Sequence, residues 1–237
     1  MASHGTVGPA VARGVAVATR NAMAVLLAAT CSVPSFGAGK TPTPLVVAER
    51  VTPDASAVAR WVVASGDHRG APFFIIDKTR ARLLVFDPQG KLQGTSPVLL
   101  GLARGDESVP GIGERKLSDI RPDERTTPAG RFVAEPGRNL NGEDIVWVDY
   151  AAAVSLHRVR ETQASEHRLQ RLATATVADN RISYGCINVP VRFYDTVVQR
   201  ALRDARHVII YVLPETKPLR EAIRGYVAGP QTTASAG

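Results

Sequence analysis

Cysteine is almost missing from this chain, which has two in 237 residues, Cys31 and Cys186. So low a count excludes a disulfide-stapled scaffold and a thiolate metal centre, both of which need several cysteines at set spacings. Histidines are few and dispersed, without the spacing of metal ligands, so neither metal nor cofactor is expected. Aromatic residues make up only 5% of the chain, and no basic run is interleaved with them, which argues against a nucleic-acid partner. A phosphate-cradling loop is missing too, because Gly111-Ile112-Gly113 lacks the third glycine and the following helix that such a loop requires.

Acidic residues are absent from the first 37 positions, which carry Arg13 and Arg20 and then the apolar run Ala22-Met23-Ala24-Val25-Leu26-Leu27-Ala28-Ala29. This pattern predicts a secretory signal over 1–37, too short in its apolar run to span a membrane, with Ser35 and Gly37 at the small positions of a cleavage site. A lipoprotein signal anchored at Cys31 fits less well, because Leu27 sits one place too early and Thr30 is a poor residue before the cysteine. Removing the segment lowers the formal net charge from +7 to +5. The mature chain stays basic, which suits a solvated surface or an anionic cell envelope.

Composition is otherwise that of a globular domain, and the length supports one substantial core. Residues 38–53 read as a Pro- and Thr-rich linker, and Asp54 as the cap of a helix carrying Val58, Trp61 and Val62. Two β-rich runs, 73–77 and 82–87, flank a polar turn and predict a hairpin. Further strands are expected at 91–102, 127–133, 145–150, 152–159 and 208–212, and helices at 161–173, 191–205 and near 218–227. Residues 103–126 form a long apolar-poor connection of the kind that often covers a site. The tail 229–237 reads as disordered. Strands without βαβ alternation predict a β-rich mixed α/β fold, a sandwich or small mixed sheet, spanning 54–228 with its core at 70–213.

If the signal is removed, Cys186 is the one thiol left, with no disulfide partner. It lies in Ser183-Tyr184-Gly185-Cys186-Ile187-Asn188, where Gly185 permits a strained turn and Asn188-Val189-Pro190 reads as a helix cap that would favour thiolate. A nucleophilic cysteine needs a base. His167 falls on the solvent side of its expected helix, with Arg168 and Arg171, whereas His157 lies on a strand opposite Val154 and Leu156. His157 is therefore the stronger candidate, against the plainer reading of a structural histidine. Ser183 is either a helper or a turn residue, and Arg181 holds a substrate carboxylate or nothing.

The hexapeptide resembles the Ser/Thr-x-Gly-Cys-aliphatic-Arg/Asn signature of the L,D-transpeptidase catalytic domain, also called the YkuD domain. The hairpin, the segment Thr127-Pro128-Ala129-Gly130-Arg131-Phe132 and the strand ending Leu156-His157 follow in the family's order, over roughly 70–213. The resemblance implies a β-sandwich-like domain with a few peripheral helices, and a periplasmic enzyme that acts on peptidoglycan stem peptides. Cys186 would be the nucleophile and His157 the base, with Ser183 and Gly185 shaping the site. Backbone N–H groups of Gly185 and Cys186 would face the oxyanion, while Tyr184, Arg181 and Asn188 would bind substrate. The acceptor would be an amine on a second stem or on a lipoprotein; hydrolysis by the same acyl-enzyme and a silent envelope-binding domain are the alternatives. Two departures stand out, Asn188 where Arg is commoner, and a helical insertion at about 161–173.

Overall fold

The structure, a computed structural model, describes residues 51–203 and 205–228. The expected signal segment with Cys31, nearly all of the linker and the tail lie outside the described residues. No helix among the described residues is long and apolar enough to cross a membrane.

The first helix, α1 (Pro53–Ser65), starts two residues earlier than its acidic residue suggests. Thr52, not Asp54, is its cap: the Thr52 hydroxyl accepts from the Ala55 N–H and donates to Asp77, tying the helix to the sheet. Gly66 ends it in the left-handed conformation.

The hairpin forms as expected from β1 (Phe73–Asp77) and β2 (Arg82–Phe86). Every residue of β1 is buried, because this strand is covered on both faces. Phe73 and Ile75 pack with α1, while Phe74 and Ile76 face the larger core. The expected third strand divides into β3 (Leu92–Pro97), paired with β2, and β4 (Leu100–Gly101). Between them Val98 bonds back to Ala81 and Leu99 exchanges both backbone hydrogen bonds with Asn188, so the chain leaves its pairing beside the hairpin and crosses to a strand at the other end of the large sheet. The long connection that follows carries three short 3-10 turns, at Ile112–Glu114, Leu117–Asp119 and Pro122–Glu124.

The remaining strands are β5 (Gly130–Arg138), β6 (Asp144–Asp149), β7 (Val154–Arg158), β8 (Arg181–Ser183), β9 (Ile187–Val189) and β10 (Val208–Leu213). The eight-stranded sheet runs β3-β2-β1-β10-β5-β6-β7-β9, with β4 and β8 as a separate parallel pair. Strand β5 serves both halves: its first residues pair with β10 and its later ones with β6. The two halves share one core, in which Leu83 and Val85 meet Val146, Leu156, Ile187 and Val189. The fold is thus the β-rich mixed α/β domain that the strand pattern predicts.

The helices lie around that core. The expected helix over 161–173 is broken at His167, whose φ of 48° separates the 3-10 turn Ala164–Glu166 from α2 (Arg168–Ala173). Six residues cannot hold a helix by propensity alone. α2 persists because Leu172 packs with Leu99 and Val159, and because its arginines find partners below it. Leu169 on the same helix is exposed. The next helix, α3, runs through Val191–Phe193, a π-turn at Tyr194–Val198, and Gln199–Leu202, burying Tyr194 and Val198. Short α4 (Leu219–Ala222) follows β10.

Candidate active site

Cys186 sits in the tight turn between β8 and β9. The turn needs its glycine: Gly185 has φ +128°, and a Cβ there would stand 2.8 Å from the Thr126 carbonyl oxygen. Thr127 holds the same turn from the side, its hydroxyl donating to the Gly185 carbonyl and accepting from the Gly101 N–H, both at 2.8 Å. Ser183 staples it internally, donating to the Cys186 carbonyl at 2.6 Å and accepting from the Gly185 N–H at 3.1 Å. The expected pair of oxyanion donors is thereby reduced, since the Gly185 N–H is engaged by Ser183.

One further expectation is corrected. Asn188 is not a helix cap; it is a buried residue of β9, and α3 begins after Pro190. Proline cannot donate to a ladder, but at the strand's end it need not, so the Asn-x-Pro pattern suits either structure. In the chain the thiol is therefore separated from the helix start by β9. Its electrostatic environment comes from β7 instead.

His157 lies on β7 in register with Asn188 on β9, and Ser155 lies two residues earlier on the same face. The Ser155 hydroxyl is 3.6 Å from Cys186 Sγ, and the thiol reaches the Ala153 carbonyl at 3.7 Å. His157 Nδ1 is 2.7 Å from the Arg158 carbonyl, while Nε2 is 3.4 Å from Asn188 Nδ2. Burial pushes the half-buried Cys186 thiol up, yet the hydrogen bond and charge of His157, helped by Ser155, outweigh it and lower the thiol below its ordinary value. Burial likewise lowers His157, but the bond and charge of Cys186 and the Arg158 carbonyl raise it overall. The two groups thus favour each other's charged forms. A cavity of about 330 Å³ opens along His157, Ile145 and Val191.

The other expected site residues divide. Tyr184 is half-buried, with the Arg125 guanidinium 3.9 Å over its ring, which fastens the 103–126 connection onto the cysteine turn. Arg181 is turned away into a buried network: Nη2 donates to Glu215 at 2.6 Å and to the Lys78 carbonyl at 3.0 Å. Lys78 in turn donates to Asp106 at 2.6 Å. Arg181 is buried there, with its Nε and Nη1 without a hydrogen-bond partner among the described residues. Arg168, expected in solvent, instead reaches inward with its side chain only 12% exposed and donates to Asn188 Oδ1 at 2.5 Å. Ser155 and Arg168 are the residues that sequence reasoning missed. Strand parity with His157 is a signal for the first; nothing in the sequence points to the second. Among the described residues no group of three or more His, Cys, Asp or Glu could hold a metal ion.

No protein-family profile matches the chain, and no curated protein does. Solved structures do show similarity. The helical cell shape determining protein Pgp2 from Campylobacter jejuni is 15% identical at a TM-score of 0.40, over 67% of this chain and 55% of that one. An L,D-transpeptidase from Xylanimonas cellulosilytica is 14% identical at 0.34, over 68% and 70%. A mutant L,D-transpeptidase from Enterococcus faecium is 14% identical at 0.34, over 60% of this chain and half of that one. At such identities the chemistry has to be read from this chain's own residues.

Proposed function

We propose that this protein is an exported cysteine acyltransferase that acts on peptidoglycan stem peptides, an L,D-transpeptidase working in the periplasm. The observation that carries this reading is the placing of Cys186, on a glycine-strained turn, against the face of β7 that bears Ser155 and His157. The hexapeptide around the thiol and the acid-free, apolar N-terminal segment support the substrate and the compartment.

In this reading His157 Nε2 takes the thiol proton and Sγ attacks the carbonyl of the stem's diamino acid. The Cys186 N–H donates to the developing oxyanion. The C–N bond to the terminal D-alanine then breaks, its nitrogen receiving the proton from His157, and a thioester remains. An acceptor amine then gives its proton to the imidazole and forms the new amide as the thiol leaves. Ser155 steadies the thiolate, and Ser183 with Gly185 fixes the turn.

Intact-protein mass spectrometry with a carbapenem or a tetrapeptide stem tests this. One covalent adduct per chain is expected, abolished in Cys186→Ala; no adduct, or an equal one in the variant, refutes the reading. Product analysis with and without an acceptor amine separates transfer from hydrolysis.

A further inference from the structure

Two contacts fix the protonation pattern beside the thiol. Arg168 Nη1 donates to Asn188 Oδ1 at 2.5 Å. A guanidinium has only donors, so the atom that faces it must be the amide oxygen, and the amide cannot be turned the other way. Asn188 Nδ2 then faces His157 Nε2 and the Cys186 carbonyl, each at 3.4 Å. On the far side of the ring, Nδ1 meets the Arg158 carbonyl, which only accepts, so Nδ1 carries the proton. Amide and carbonyl agree on one state: a neutral imidazole with its lone pair at Nε2.

Arg168 is built into place for this. Its Nε donates to Glu166 at 2.5 Å, Arg171 donates to the Glu166 carbonyl at 2.8 Å, and Leu172 anchors α2 on Leu99 and Val159. The inserted segment thus delivers a guanidinium to a strand residue that touches both the imidazole and the Cys186 carbonyl.

We propose that Arg168 is a positioning residue of that pair: by locking the Asn188 amide it holds His157 as a neutral base in the resting protein. The proposal rests on the pairing of Cys186 with His157 and not on which acyl compound the thiol attacks. When His157 takes the thiol proton, its Nε2–H points toward Sγ and the amide N–H beside it loses the lone pair it faced, so the locked amide opposes the thiolate–imidazolium form. Freed from Arg168, the amide can rotate and its oxygen can accept from Nε2–H, making the ion pair the resting form. Loss of the nearby cation acts in the same direction. The other charged groups around His157 are internally matched, Asp144 with Arg158 and Glu143 with Arg160. Glu166 would be left without its partner in an Arg168 variant.

The test is the pH dependence of Cys186 alkylation by iodoacetamide in the full chain. In Arg168→Met the acidic limb of the profile is expected to move down by about half to one pH unit, raising alkylation at the foot of the curve roughly 3- to 10-fold. The Glu166→Gln/Arg168→Met double variant, which removes the orphaned carboxylate, should show the same shift. Asn188→Asp should match it, because a carboxylate accepts from both Arg168 and a protonated Nε2. Arg168→Lys, still a donor to Oδ1, should follow the wild-type curve. A purely structural role would lower the unfolding temperature and leave the profile in place. If the Met and Asp variants superimpose on wild type, or if Lys shifts as far as Met, the proposal is wrong. Should Arg168→Met not fold, Asn188→Asp decides.

Discussion

Gly185 shows how much one missing methyl group can matter. Alanine there would keep an unfavourable backbone conformation and press against the Thr126 carbonyl, which cannot retreat because Thr127 is itself bound to the turn. Gly185→Ala should therefore cost about 1–3 kcal/mol of stability and slow thiol alkylation together, as read by denaturant unfolding and iodoacetamide kinetics. Stability lost with alkylation unchanged would uncouple the turn from the thiol. His157 makes a second test. It lowers the Cys186 thiol while burial raises it, so His157→Gln should move alkylation to higher pH; an unmoved curve would mean the imidazole does not act on the sulfur. His157 was legible because strand parity separates it from Val154 and Leu156. Ser155 shares that parity, but a serine on a strand carries no mark until the thiol is placed opposite it.

Among the elements, those whose own residues carry a β-rich run were readable, and those defined only by a distant partner were not. The β1–β2 hairpin announces itself by two β-rich runs about a polar turn. The break between β3 and β4 does not, because it is set by pairing of Leu99 with Asn188, far along the chain. β9 was hidden for the same reason, its Asn-x-Pro pattern serving a strand end as well as a helix start. α2 is the extreme case, six residues held by what lies under them. Leu172→Ala should loosen this element selectively, with faster amide exchange over 164–173 while the hairpin stays protected. Equal exchange across both would show that α2 belongs to the global unfolding unit.

Across the whole molecule, the buried cluster of Lys78, Asp106, Arg181 and Glu215 joins the hairpin turn, the long connection, β8 and the segment after β10. Burial raises Asp106, but the bond from Lys78 and those from Thr216 and the Glu215 backbone hold it well below its ordinary value. A depressed carboxylate contributes stability that is fully present above its unfolded pKa of 3.8 and is lost as pH falls toward its folded value. Asp106→Asn should cost about 3–5 kcal/mol near neutrality and flatten the decline of stability below pH 4, measured by urea unfolding across that range. A parallel decline in both proteins would place the acid sensitivity elsewhere.

The parallel pairing of β1 with β10 sets Phe73 beside Ile209, near the two extremes of the described fold. The central seam of the sheet therefore cannot close while the chain is still emerging, however early the hairpin forms. The seam between β1 and β5 is thus completed only when β10 becomes available.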